Sequence, residues 1–183
     1  MRLFIAIKVN PFQKILDLTN NINLSGADIK PVEPDNIHIT LAFLGEVNEY
    51  RIKDVNEALS LLKFKRFKIT LSDTGAFPNN IKPRVVWVGI KEGFQELKNL
   101  RIQILRELSA RRIHVEDEKE FLPHVTVARV KSLKNLQNLI KLLQENMSEY
   151  YGEEEVDRVT LFKSTLTPKG PIYDKIYEVR SID

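Results

Sequence analysis

Apolar and polar residues alternate over 2–9. Leu3, Ile5, Ile7 and Val9 fall on one face, and Arg2, Phe4, Ala6 and Lys8 on the other. This period of two predicts a half-buried strand. Beyond Pro11 the period lengthens: Ile15, Leu18 and Ile22 recur at helical spacing to about residue 24, and Gly26 ends the helix. Residues 36–44, NIHITLAFL, read as a second strand closed by Gly45. Asn48 is a candidate cap for a helix to about residue 63, with Ile52, Val55, Leu59 and Leu62 inward. Strands over 67–77 and 84–90 flank Pro78, Asn79, Asn80 and Pro83, which predicts a hairpin. A helix over 93–111 carries the stripe Phe94, Leu97, Leu100, Ile104 and Leu108. After an acidic loop, 116–120, comes the strand PHVTVARV (123–130). A helix over 132–147 follows, capped by Ser132. Strands over 155–166 and 172–179 close the chain around the turn TPKGP (167–171).

Strands and helices are mixed along the chain, so the class is α+β. Two pieces repeat. HITLAFL and HVTVARV are each a strand carrying His-x-Thr, each followed by a helix, one in each half. No composition shift or flexible linker separates the halves. We therefore expect one bilobal unit over 1–183, built by pseudo-twofold duplication around a central cleft with one His-x-Thr motif per lobe.

Composition narrows the function. Of 183 residues, 43% are hydrophobic and 29% charged, which is globular rather than disordered. There is no cysteine, so disulfides, zinc ribbons, Fe–S clusters and cysteine nucleophiles are ruled out. No apolar run is long enough to cross a bilayer, and the apolar N-terminus is too short for a signal peptide, so no membrane partner and a cytoplasmic location are expected. A net charge of +3 allows a phosphate-bearing partner without marking a tight nonspecific duplex binder. There is no P-loop, no dinucleotide fingerprint and no His-Glu-x-x-His, and the three histidines have no metal-ligand spacing; neither a metal nor a cofactor is expected.

In a strand, residues i and i+2 point the same way. His38 and Thr40 therefore share a face, as do His124 and Thr126, while Ile37, Ile39, Leu41, Val125 and Val127 take the opposite, core-facing side. Two opposed imidazoles suit in-line displacement at phosphorus, which needs a base on the attacking oxygen and an acid on the leaving one. Threonine hydroxyls are the right length to hold a nonbridging phosphate oxygen. One such motif is commonplace in a strand, but here two of three histidines carry it, both before helices. The third, His114, lacks the threonine and sits beside Arg111 and Arg112, so it reads as structural or solvent-facing. Phe4 and Trp87 read as packing residues, and Lys63, Lys65, Arg66 and Lys68 as a solvated basic run.

The stretches RLFIAI, HITLAFLG, GAFPNNIKPRVVWVGI, FLPHVTVAR and TLFKSTLTPKGPIYDKIYEV together resemble the 2H phosphoesterases, and within them the RNA 2′,3′-cyclic phosphodiesterase branch, also called 2′-5′ RNA ligase. The resemblance covers nearly the whole chain. It implies two antiparallel sheets flanked by helices around the cleft. It also implies metal-free hydrolysis of an RNA 2′,3′-cyclic phosphate end to a 2′-phosphate. His38 and His124 would be the acid–base pair and Thr40 and Thr126 the phosphate holders. The substrate would be RNA with a cyclic phosphate end, tRNA fragments included, and the protein a monomer. Reversible 2′-5′ ligation and a non-catalytic RNA-end binding module are the alternatives. Arg129 matches an arginine that some members place on the phosphate, yet it has the phase of Val125 and Val127. It reaches the cleft only if the strand bulges or ends near Ala128; otherwise it is a surface charge.

Overall fold

In the computed structural model, which describes residues 1–116 and 120–183, the chain forms nine strands and four α-helices. In order they are β1 (Arg2–Lys8), α1 (Gln13–Leu24), β2 (Ile29–Pro31), β3 (His38–Glu46), α2 (Ile52–Ser60), β4 (Phe67–Phe77), β5 (Val85–Ile90), α3 (Phe94–Ala110), β6 (His124–Val130), α4 (Gln137–Glu145), β7 (Tyr150–Val156), β8 (Arg158–Thr167) and β9 (Gly170–Arg180). Part of the expected acidic loop, residues 117–119, lies outside the described residues.

The strands run β7-β4-β5-β6-β3-β1-β8-β9, every neighbouring pair antiparallel, with β2 added to β6. The order is balanced about its middle, where β5 and β1, the strands that launch α3 and α1, flank the central pair on either side. β6 and β3, the two His-x-Thr strands, lie side by side. The two expected antiparallel sheets are the halves of this curled sheet, and one Cα pair, Ile39 with Val125, joins them.

The helices cross the seam. α1 leaves β1 in one half but packs on β2, β6 and β7 in the other, beside α4. α3 leaves β5 and packs on β3, beside α2. Ile15, Leu18 and Ile22 of α1 and Leu97, Leu100, Ile104 and Leu108 of α3 are nearly inaccessible to solvent. Burying one such side chain is worth about 1.5–3 kcal/mol. Each half thus takes part of its apolar cover from a helix that the other half launches.

Several expected elements are trimmed. α4 begins after Asn135, whose φ of +55° is left-handed; that residue interrupts any helical turn begun at Ser132. Asn48 makes no capping bond, and a 3-10 turn, Glu49–Arg51, precedes α2. β1 is buried on both faces, Phe4 and Ala6 included; on its second face the Phe4 ring is covered by His38 of β3, Phe162 of β8 and Tyr173 of β9. β2 and β7 are strands the periodicity does not reveal. β7, YYGEEEV, is an edge strand, where charged residues are tolerated and deter pairing with other chains.

Candidate active site

The Ile39–Val125 pair places both motifs at the centre of the sheet. Continuing that antiparallel register by one residue either way sets His38 against Thr126 and Thr40 against His124. The intervening residues Ile39, Leu41, Val125 and Val127 are fully buried on the core side. His38, Thr40, His124 and Thr126 line one cleft of about 700 Å³.

Beyond each threonine the strand bulges. On β6, Ala128 pairs with Val86 but Thr126 with Trp87, so Val127 is an extra residue. On β3, Ala42 pairs with Ile5 but Thr40 with Ala6, so Leu41 is extra. A bulge puts two successive residues on one face and reverses the alternation after it. Val127 and Ala128 both go to the core, and so do Leu41 and Ala42. Arg129, opposite Val85, is turned into the cleft. Phe43 is its counterpart in the other half and lines the cleft too. The guanidinium of Arg2 lies 4.7 Å from the centre of the Phe43 ring.

Both imidazoles are held alike. His38 Nδ1 lies 2.6 Å from the carbonyl of Asn36, and His124 Nδ1 lies 2.7 Å from the carbonyl of Leu122, each two residues upstream. A carbonyl only accepts, so Nδ1 carries the proton in both rings and a neutral imidazole keeps its lone pair on Nε2. In His38 that Nε2 accepts from the Thr40 hydroxyl at 3.1 Å. Aromatic rings set the ring planes: Phe4 and Tyr173 pack on His38, with centroids 5.1 and 5.4 Å away, and Phe77 meets His124 edge-on at 5.1 Å.

Desolvation lowers the pKa of both histidines from the ordinary imidazole value, opposed by the bonds to the carbonyls, which favour the charged ring. The positive charge of Arg129 lowers both further, and His124 adds to the lowering at His38. Tyr173 is shifted upward, again chiefly by burial.

The other candidates lie elsewhere. His114 is exposed, on a surface dent shared with Arg112 and Glu116. In the basic run, Arg66 pairs with Glu155 and Asp183, and Lys68 with Glu92 and Glu153. Trp87 stacks against Phe77 at 5.5 Å, behind His124. Phe4 is buried, as a packing residue should be, and it also forms the floor under His38.

Sequence reasoning does not find Asn36, Arg2, Phe43, Lys30 or Tyr173. Asn36 connects two parts of the site. Its carbonyl holds His38, and its side-chain amide donates to the carbonyl of Pro171 in the β8–β9 hairpin at 3.1 Å. The available signal for Phe43 is its place in the repeat, three residues after Thr40 as Arg129 is three after Thr126. Among the described residues, no three His, Asp or Glu converge to hold a metal ion, and no helix is long and apolar enough to cross a membrane.

Comparison with known proteins agrees with this architecture. The chain is 42% identical over 168 residues to an RNA 2′,3′-cyclic phosphodiesterase of Aeropyrum pernix, covering 92% of this chain and 95% of that one. It is 43% identical over 178 residues to a protein of the same name from Archaeoglobus fulgidus, covering 94% and 96%. The crystal structure of TT0787 of Thermus thermophilus shares the fold with a TM-score of 0.76 at 29% identity, over 98% of this chain and 97% of that one. The model of the LigT like phosphoesterase family matches twice, over residues 5–87 and 88–173, each span holding one His-x-Thr motif. With nearly all of its length accounted for in this way, the chain belongs to the LigT-like phosphoesterase family.

Proposed function

We propose that this chain is an RNA 2′,3′-cyclic phosphodiesterase, hydrolysing the cyclic end to a 2′-phosphate with His38 and His124 as a metal-free acid–base pair. The observation that carries the reading is the matched setting of the two imidazoles. Each has Nδ1 committed to a backbone carbonyl and lines the same cleft, beside a threonine from the facing motif. The names of the relatives from Aeropyrum pernix and Archaeoglobus fulgidus support the substrate class.

The cyclic phosphate sits between the rings. His124 Nε2 takes a proton from water as the water oxygen bonds to phosphorus. The P–O3′ bond breaks on the far side, and protonated His38 gives its proton to O3′. The products are a 2′-phosphate and a free 3′-hydroxyl, and solvent returns the proton from His124 to His38. The allocation of acid to His38 and base to His124 follows the family resemblance. Thr40 and Thr126 donate to nonbridging oxygens, and Arg129 offsets the charge that builds in the transition state, so the residues themselves can carry that charge. Thr40 is poised for this: its hydroxyl, bonded to His38 Nε2 in the free cleft, turns to the phosphate when that nitrogen is protonated. On this reading the whole chain works as one bilobal unit, a monomer in the cytoplasm.

The test is an oligonucleotide with a 2′,3′-cyclic phosphate end, incubated with EDTA present and followed by phosphorus NMR. A 2′-phosphate product is expected. A 3′-phosphate, no turnover, or activity lost on chelation overturns the reading.

A further inference from the structure

Four cations line the cleft: Arg2, Lys30, Arg129 and Lys169. Among the described residues only one carboxylate, Glu33, lines it with them. Several cations elsewhere on the chain are paired, as with Arg51 and Asp54, Arg66 and Glu155, Arg111 and Glu107, and Arg158 and Asp157. None of the four has a carboxylate partner among the described residues. Lys30 and Arg129 are direct cross-strand partners on β2 and β6. Like charges so placed repel and cost stability unless an anion sits between or beside them.

The second lysine is held on an ordered turn. Thr167 Oγ1 donates to the carbonyl of Gly170 at 2.6 Å and accepts from the backbone N–H of Lys169 at 3.2 Å. The Lys30 ammonium reaches this turn, since a Cβ on Gly170 would lie 3.7 Å from its Nζ. Through Asn36 the same hairpin is registered to His38. A cationic corner therefore stands on a hairpin that Asn36 ties to His38. A cyclic phosphodiester carries a single negative charge, which Arg129 and the threonines already meet.

We propose that Lys30 and Lys169 form a second anion subsite, which holds the phosphate on the 5′ side of the terminal nucleotide and makes a strand, rather than a cyclic mononucleotide, the preferred substrate. This rests on the reading of the cleft as a cyclic-phosphate site. The subsite recognises the phosphate and not the second base.

Three substrates separate these contributions: adenosine 2′,3′-cyclic phosphate, its 5′-phosphorylated form, and the dinucleotide ApA with a 2′,3′-cyclic end. For the unmodified protein, kcat/KM for the last two should exceed that for the first by about tenfold, the size of one charge-assisted contact. In the double variant Lys30→Met, Lys169→Met that ratio should fall to within about twofold, while Lys30→Arg, which keeps the charge, should retain it. The salt dependence with the dinucleotide should become shallower in the double variant. Equal use of all three substrates, a ratio untouched by the double variant, or a gain with the dinucleotide alone would overturn the subsite and leave the phosphodiesterase reading standing. If no substrate turns over, that reading fails and calorimetry decides the subsite. Adenosine 2′,5′-bisphosphate binding more tightly than adenosine 2′-phosphate, with the difference lost in the double variant, supports it; equal binding overturns it.

Discussion

Arg101 Nη1 donates a hydrogen bond to the carbonyl of Leu41 at 2.6 Å, tying the middle of α3 to the bulge residue of β3. A bulge leaves its extra residue outside the ladder, and a buried carbonyl there needs another donor. In the other half Val127 holds the equivalent place, and its carbonyl accepts from the backbone N–H of Val32 at 2.9 Å. The same distortion is thus satisfied by backbone in one half and by a buried arginine in the other. Arg101 is only 9% exposed, and its guanidinium lies 5.0 Å from the centre of the Phe121 ring.

Replacing Arg101 by Met should therefore do more than remove a charge. The Leu41 carbonyl loses its donor, at a cost on the order of 1–3 kcal/mol. Urea unfolding should show the lowered midpoint. Turnover should fall as well in protein that remains folded, because Leu41 separates Thr40 from Ala42 and Phe43 on the strand that presents His38. An unchanged midpoint would mean that the bulge holds without Arg101.

Arg129 offers a sharper test because it touches both chemistry and titration. Its removal takes a phosphate contact from the transition state, on the order of 1–3 kcal/mol in kcat/KM. It also removes a positive charge that depresses both imidazoles, so both pKa values should rise. Arg129→Met should therefore be slower and have its pH–rate profile displaced towards alkali. A slower enzyme with an unmoved profile would place Arg129 on the substrate but away from the histidines.

Arg129 also shows where alternation is a sufficient guide and where it is not. Period two correctly groups His38 with Thr40 and His124 with Thr126, since no irregularity falls between them. It misplaces Arg129 because one extra residue, Val127, resets the phase. In both copies the threonine is followed by two apolar residues, Leu41–Ala42 and Val127–Ala128. That shared break in alternation is the trace a bulge leaves, and it is legible only when the copies are aligned. The crossing of α1 and α3 to opposite halves is not legible at all, because a hydrophobic stripe specifies that a helix is covered and not by which strands. β2 is too short for any period, and β7 hides behind Glu153, Glu154 and Glu155. Asn36 acts through its carbonyl and one amide bond, and nothing in its neighbours' identities announces either.

Acidity should govern both rate and stability. Burial and Arg129 hold both imidazoles below the usual value of about 6.5. In kcat/KM the acid limb reports the base gaining a proton and the alkaline limb reports the acid losing one. Both limbs, and the optimum between them, should therefore lie below about pH 6.5. A bound phosphate favours imidazolium, so the limbs in kcat should sit at higher pH. For folding, a lowered pKa means that the unfolded chain binds these protons first. The contribution to stability is complete above about pH 6.5 and is lost as pH falls through the folded-state values. Urea midpoints should drop on acidification, and less steeply in His38→Asn. An optimum on the alkaline side of the ordinary imidazole value would contradict the desolvated setting of the rings.

The two histidines should not contribute independently. Each single alanine variant should lose about 10²–10⁴-fold in turnover, and the double variant should be little worse than either. Acid and base act in one displacement, so removing either already forfeits most of what the pair supplies. Their removal should cost little folding stability near neutral pH, because the core contacts on these strands belong to Ile39, Leu41, Val125 and Val127. The roles are separated by a substrate with sulfur in place of O3′, a leaving group that needs little protonation. It should restore turnover in His38→Ala and leave His124→Ala inactive, since the water must still give up its proton. Restoration of His124→Ala instead would exchange the roles. Full activity in either single variant on the natural ester would remove the two-histidine mechanism.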